Sequence, residues 1–460
     1  MALDEVRQHQ ATEPRLAFVL TVVASEPVAF AELASRTGIF ILGIVVVMIS
    51  LVSLMRTVIV PRPLRSSLSG FVMWLVETAT RGISFLRSTY ARRDHVLAWT
   101  GPVMILAMLI AWLVGFLVGY AMLIYGISGM DFGNAMRQSG SSLLTLGFAG
   151  GTNENQTIID FIAAATGPII IAMLIGYLPT IFQTYLEREV LVTTLSTSGG
   201  EPAWGPEYLA RATLAGTLEE ATTHLDAWTE WAARLRLTHI TYPTLMYVRS
   251  PRASRHYLIS LLCMMDAAAL QISLSKTVDR MHAYRLLLQG SQTFESLYVV
   301  LVHDQRGRQR IPVVGKLWPG RRGQQQEQQH LPAWTLDIRA VHAAAAQDSA
   351  IGFATLNTDA ASVLGVHDST ITHDQFIRAV RMLKDVGFPI DRDLDEAWTM
   401  FRDIRSQYEF PAYALTYKLD AVPAPWSGPR FKKTDVIYPT SAAAMRQQLT
   451  EEPDSKEQHP

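Results

Sequence analysis

The stretch Ser139–Gly151, S-G-S-S-L-L-T-L-G-F-A-G-G, decides how this chain is read. It opens as a short Ser-rich helix candidate and runs into the pattern T-x-G-aromatic-x-G. A long apolar segment lies on each side, Val96–Tyr125 before it and Ile158–Phe182 after it. Glycine enters positive φ at little cost, so a run this rich in glycine shapes main chain more than it buries side chains.

The rest of the composition fits a membrane protein with a large soluble part. The chain has 460 residues, a length that ordinarily holds two or three domains. It is 49% hydrophobic, but those residues concentrate between positions 38 and 186, and the remainder has ordinary globular composition. The net charge of -1 gives no global reason to expect nucleic acid. The single Cys263 excludes an intrachain disulfide framework and any all-cysteine metal site. No lysine precedes Lys276. With the Ala-rich composition, that Arg bias reads as a high-GC bacterial genome.

Three segments meet the roughly 20 apolar residues needed to cross a hydrocarbon core about 30 Å thick: Gly38–Val60, Val96–Tyr125 and Ile158–Phe182. Arg56 sits near the end of the first, where its stem can snorkel, and Pro102 falls in the first turn of the second. Together they predict a transmembrane module over 36–195, preceded by an extracytoplasmic segment 1–35. Arginine placement predicts its direction. The connection between the first two spans carries Arg56, Arg62, Arg65, Arg81, Arg87, Arg92 and Arg93 against Glu77 and Asp94. The next connection has Arg137 alone as a base, with Asp131 and Glu154. By the positive-inside rule the Arg-rich loop is cytoplasmic and residues 127–157 face outward. The N-terminus is then outside and everything beyond 186 inside. Phe71, Trp74, Leu75, Phe85 and Leu86 recur at helical spacing within residues 61–95. Two readings are open for them: an interfacial helix touching anionic lipid, or a helix packed on the protein itself.

These residues together resemble the pore module of tetrameric, potassium-type pore-loop cation channels, with one additional N-terminal span. The resemblance covers roughly residues 96–190. It implies a re-entrant pore loop over about 131–151 and an ion filter made of Thr145, Leu146, Gly147, Phe148, Ala149 and Gly150. In such a filter, backbone carbonyls replace the hydration shell of the ion, and the Thr hydroxyl adds a ring at the inner end. It also implies a homotetramer, since one chain supplies one loop of four, and potassium or another monovalent cation as permeant ion. No other cofactor, catalytic residue or metal is implied. Thr145, Gly147 and Phe148 fit the family pattern, and Leu146 stands for its usual Val or Ile. Ala149 occupies the place of the second Gly, Gly150 follows one position late, and no Asp comes after it. Alanine at positive φ is disfavoured by roughly 1 kcal/mol or more. The outer filter is therefore expected to relax, with Ala149 at negative φ or Gly150 taking the turn, and discrimination between potassium and sodium to weaken. Asp160 is either a carboxylate at the pore mouth or a helix-terminal acid favoured by the macrodipole. Gly176 and Pro179 are candidates for a gate hinge, because a proline bends a helix. The run Gly115–Gly119, with Ala111 one step before it, is expected to mark where the outer helix meets the inner one.

Residues 200–305 and 335–440 read as helical cytoplasmic regions, joined by a basic, Gln-rich linker over 306–334 and followed by a polar tail over 441–460. Thr217–Glu220 and Thr372–Gln375 carry capping-box patterns, and Asp393 is a further cap candidate. Tyr257–Leu274 is apolar almost all round, but Asp266 at its centre would cost a few kcal/mol in lipid, so a buried core helix is expected. The fold class is thus all-α: membrane helices with a re-entrant loop plus a helical cytoplasmic domain. No phosphate loop, zinc spacing or dinucleotide fingerprint is present, so enzyme chemistry is not expected. Two functions remain: a cation channel of weakened selectivity, or a non-conducting, channel-like membrane sensor or scaffold working through its helical domain.

Overall fold

Every regular element among the described residues is helical, as the patterning predicts. The computed structural model describes residues 32–60, 66–301 and 369–439. Arg62 and Arg65, the linker 306–334, residues 335–368, the tail 441–460 and all but the end of segment 1–35 lie outside them.

The helices are α1 (Glu32–Val58), α2 (Ser67–Phe85), α3 (Tyr90–Ala98), α4 (Thr100–Ser128), α5 (Phe132–Leu143), α6 (Glu154–Gly199), α7 (Gly205–Leu214), α8 (Leu218–Thr241), α9 (Tyr257–Leu274), α10 (Met281–Leu301), α11 (His373–Asp385), α12 (Leu394–Ser406) and α13 (Glu409–Lys418). Four stretches are long and apolar enough to cross a membrane: α1, Tyr90–Ser128, α6 and α9. Only the last is wholly buried within the protein. The third expected span is far longer than one bilayer needs. α6 runs unbroken for 46 residues through Pro168 and Pro179, about 69 Å at the α-helical rise.

Chain contacts separate two compact units, residues 1–78 with 103–180, and residues 79–102 with 181–460. Residues 79–102, read from sequence as part of the spanning module, therefore group with the second unit, and the division falls within α6 at 180.

In the first unit, small residues set the helix contacts. A Cβ on Gly115 would come within 2.3 Å of the Ser50 hydroxyl, and one on Gly119 within 2.7 Å of Val47. Gly43 in turn lies against the Gly119 carbonyl, and Gly126 against Phe40. This corrects the sequence expectation: the small-residue stripe of α4 receives the added N-terminal helix α1, not α6. The reason is geometric, because glycine on both α1 and α4 lets those two backbones approach. Hydroxyls complete the packing. Trp112 donates to Ser53, and Ser53 is linked to Ser66 and Ser69 at the start of α2. There α2 buries Val72 and Val76 and leaves Phe71 and Leu75 open, so one face packs on protein and the adjacent apolar flank does not.

The second unit is built around α9, which is buried along its whole length. Its Asp266 is held by Arg405 at 2.9 Å and by the Tyr408 hydroxyl at 2.7 Å, and Glu409 pairs with the same arginine at 2.8 Å. The core-helix expectation for Tyr257–Leu274 is thus met. Arg93 of α3, counted above among the basic loop residues, is an internal group: it is almost fully buried and pairs with Asp420 at 2.9 Å. Thr372 and Gln375 form the expected capping box, and Asp393 caps α12. Thr217 departs from expectation: its side chain makes no cap bond to α8, and its hydroxyl turns back toward the Ala212 carbonyl.

Candidate functional site

The segment from Asp131 to Asp160 is built from both ends. Asp131 starts α5 by accepting from the Asn134 amide at 3.0 Å, satisfying one donor of the helix end. Ser139 fixes the middle of α5 on α4 by donating to the Leu117 carbonyl at 2.8 Å. At its C-terminal end the approach to α6 is very close, since a Cβ on Gly167 would meet the Leu143 carbonyl at 1.9 Å. Any larger residue there would force the two helices apart.

After α5 the chain turns. Thr145 adopts φ 54 and Gly147 φ 73, so the left-handed region is entered at a glycine, as expected, and also at a threonine. Positive φ is a genuine outlier for a β-branched residue. Ala149 and Gly150 are not among the positive-φ residues. Of the two expected relaxations of the outer segment, this is the one in which Ala149 leaves the left-handed region. The Ala149 amide is instead taken by the Ser141 hydroxyl at 2.9 Å.

Asp160 locks the far end. Gln138 donates to it at 2.9 Å, Ser142 at 2.8 Å and the Gly151 amide at 2.7 Å. Thr152 N–H adds a bond to the Gln156 side chain at 3.0 Å. A carboxylate read from sequence as either a pore-mouth group or a helix-terminal acid thus accepts from three donors that tie the end of α5 and the outgoing chain to α6. Arg137 reaches over the Phe148 ring at 5.3 Å, within cation–π range.

From the turn after α5 up to these anchors, the carbonyls of Thr145, Leu146, Gly147, Phe148, Ala149 and Gly150 accept no hydrogen bond from the described residues. Thr145, Leu146, Gly147, Phe148 and Gly150 are exposed, and Ala149 is partly so. Buried carbonyls are nearly always paired, so six free ones in a row belong on a surface that meets water or a ligand. The structure brings together Thr145–Gly150 and Asp160. Gly176 and Pro179 lie roughly 24 Å or more along α6 from Asp160 at the helical rise. Among the described residues, nothing lies within 4 Å of a Cβ built on Gly176. Packing does not require glycine there.

Ser141, Ser142, Gln138 and Gly167 were not singled out by sequence reasoning. Gln138 and Ser142 are four apart on α5, so a shared polar face was readable; their common acceptor was not. No protein-family model, curated protein or solved structure matches this chain.

Proposed function

We propose that this chain is one subunit of a tetrameric cation channel, with Thr145–Gly150 from four copies forming the ion path. The observation that carries the reading is the run of six unpaired carbonyls. It is held at its start by the Leu146 amide on the Ser141 carbonyl and at its end by the Ala149 amide on the Ser141 hydroxyl and the Gly151 amide on Asp160, on a segment between two helices long enough to span a bilayer. Carbonyls fixed in this way can replace water around potassium or another monovalent cation. The arginine asymmetry orients the loop outward and the second unit toward the cytoplasm. The open space around Gly176 leaves α6 free to bend there and at Pro179, the candidate gate hinge. The uncovered apolar face of α2 suits contact with the lipid surface. A second reading is a non-conducting protein of the same architecture, signalling through its helical unit. Ala149 in place of a glycine and the left-handed Thr145 favour it, because both depart from an evenly stacked carbonyl ladder.

The test is recording from purified protein in planar bilayers under potassium and sodium gradients. Cation current with weak discrimination between the two ions is expected. Gly147→Val should abolish it while the tetramer persists on native gels, because a β-branched residue at φ 73 is strained by about 1–3 kcal/mol. Silent but tetrameric wild-type protein would establish the second reading. Undiminished current in Gly147→Val would remove the filter assignment.

A further inference from the structure

The second unit contains a cavity of about 330 Å³ whose walls are α13, the start of α11 with the turn before it, and the loop 419–436. Aromatic rings dominate the wall: Phe410, Tyr413 and Tyr417 from α13, and Trp426 from the loop. Among the described residues, no Asp, Glu, Lys, Arg or His lines it. We propose that this cavity binds a neutral, flat, two-ring heteroaromatic molecule.

The loop is preformed for that role. Trp426 holds φ 57, a conformation that a bulky residue adopts only when its surroundings enforce it. Its carbonyl accepts from Arg405 at 2.6 Å and from the Tyr413 hydroxyl at 3.0 Å. Arg430, buried within the loop, donates to the carbonyls of Ala421, Val422, Ser427 and Gly428 at 2.5–2.9 Å. Gly428 passes so close to Tyr413 that a Cβ would lie 2.5 Å from its ring. The Trp426 ring is braced edge-on by Trp204 and at a tilt by Phe401, with centroids 5.5 and 5.6 Å away, which fixes it in the cavity wall. A site already in its bound shape loses little entropy on binding, and the volume lies within the range of small-molecule sites.

The lining also selects the ligand. Rings on several sides favour a flat aromatic guest in offset or edge contact. The Gln375 oxygen is already taken by the Thr372 amide at 2.9 Å, which leaves the Gln375 amide nitrogen as a donor, and Tyr417 lines the same cavity. The guest therefore carries a carbonyl or ring-nitrogen acceptor. A carboxylate or phosphate would be stripped of water with no cation among the described lining residues to meet it, which disfavours nucleotides and amino acids.

The inference does not depend on ion conduction, and its test uses the full chain in nanodiscs with empty nanodiscs as reference. Calorimetric titration with 2-quinolinone, a neutral bicyclic lactam, is compared with quinoline-2-carboxylate. The lactam should bind, and the carboxylate should be weaker by about a hundredfold or more. Val436 stands at the rim and is 48% exposed. Val436→Trp should weaken the lactam by about tenfold or more through occlusion of apolar contact area, with the melting temperature unchanged. Tyr417→Phe, which removes one hydroxyl, gives a milder second variant. Absence of lactam binding to folded wild-type protein overturns the proposal. So does equal affinity for the carboxylate, or undiminished lactam binding in Val436→Trp.

Discussion

Asp160 shows how a single carboxylate can set the shape of a loop it does not belong to. It gathers donors from α5 and from the Gly151 main chain. Asp160→Leu would leave three donors without their acceptor, and each such loss costs about 1–3 kcal/mol where water cannot replace it. The half-buried position of Asp160 places the expected loss at the lower end of that range, with a measurable fall in melting temperature and loss of any current. Asp160→Asn should recover part of both, since its remaining oxygen still accepts. An Asp160→Leu protein with unaltered melting and conductance would show that the carboxylate is incidental. At this scale the sequence was legible for Gly147, whose left-handed φ follows from its type. It was not legible for Thr145, which takes the same region against its preference, or for Asp160, whose partners are chosen by tertiary contact. A lone carboxylate near a helix start looks the same in sequence whether it faces solvent or a neighbouring amide.

Between elements, the decisive contact is the one that joins α1 to α4. Gly115 admits the Ser50 hydroxyl, which would lie 2.3 Å from an added Cβ, whereas the Ser50 Cβ itself would lie at 3.4 Å. The obstruction is thus one oxygen atom. Gly115→Ala should destabilise the first unit by about 1–3 kcal/mol, the usual cost of overpacking. The double variant Gly115→Ala with Ser50→Ala should regain most of that loss, because the clashing atom is gone. Thermal melting of the four proteins of this cycle in one detergent checks it, and additive effects of the two changes would refute the contact. The small-residue spacing was plain in the sequence, but its partner was not. Gly43 and Gly126 supply the complementary approach, and a spacing rule on one helix does not say which neighbour carries the matching surface. The same limit applies to Thr217, where the capping pattern is present and the local turn directs the hydroxyl elsewhere.

Across the described residues, the all-helical class, the three apolar segments long enough to span a bilayer and the buried fourth were legible, because apolar length and periodicity are properties of contiguous sequence. The assignment of residues 79–102 to the second unit was not, since it depends on Arg93 meeting Asp420, 327 residues away. Charge burial at this scale also governs the response to acid. His239 and His256 are fully enclosed, and burial, with Arg188 near the first and Arg249 and Arg188 near the second, holds both imidazoles well below their ordinary range. Arg188 donates to the Nε2 side of His239 at 3.2 Å, which fits a neutral ring. The unfolded chain takes up protons near pH 6.5 while the folded one does not. Stability is therefore full above about pH 7 and falls as pH drops below it, by up to about 1.4 kcal/mol per pH unit for each histidine. Burial raises Asp266 against the pull of Arg405 and acts in the opposite sense, so a variant is needed to isolate the histidines. Melting followed by tryptophan fluorescence between pH 7.5 and 5.5 should show a shallower decline for His239→Gln than for wild type. Identical slopes would mean that His239 is not the group responsible.

The enclosure of α9 has a consequence for the order in which the protein is made. A helix apolar enough to enter a bilayer leaves the ribosome 139 residues ahead of Arg405, the cation that later neutralises its Asp266. Throughout that interval the carboxylate has no counter-ion on its eventual partner helix. Its cost in hydrocarbon, about 3 kcal/mol on insertion scales, opposes diversion of the segment into the membrane. The same side chain thus sorts the nascent chain first and cements the finished fold afterwards.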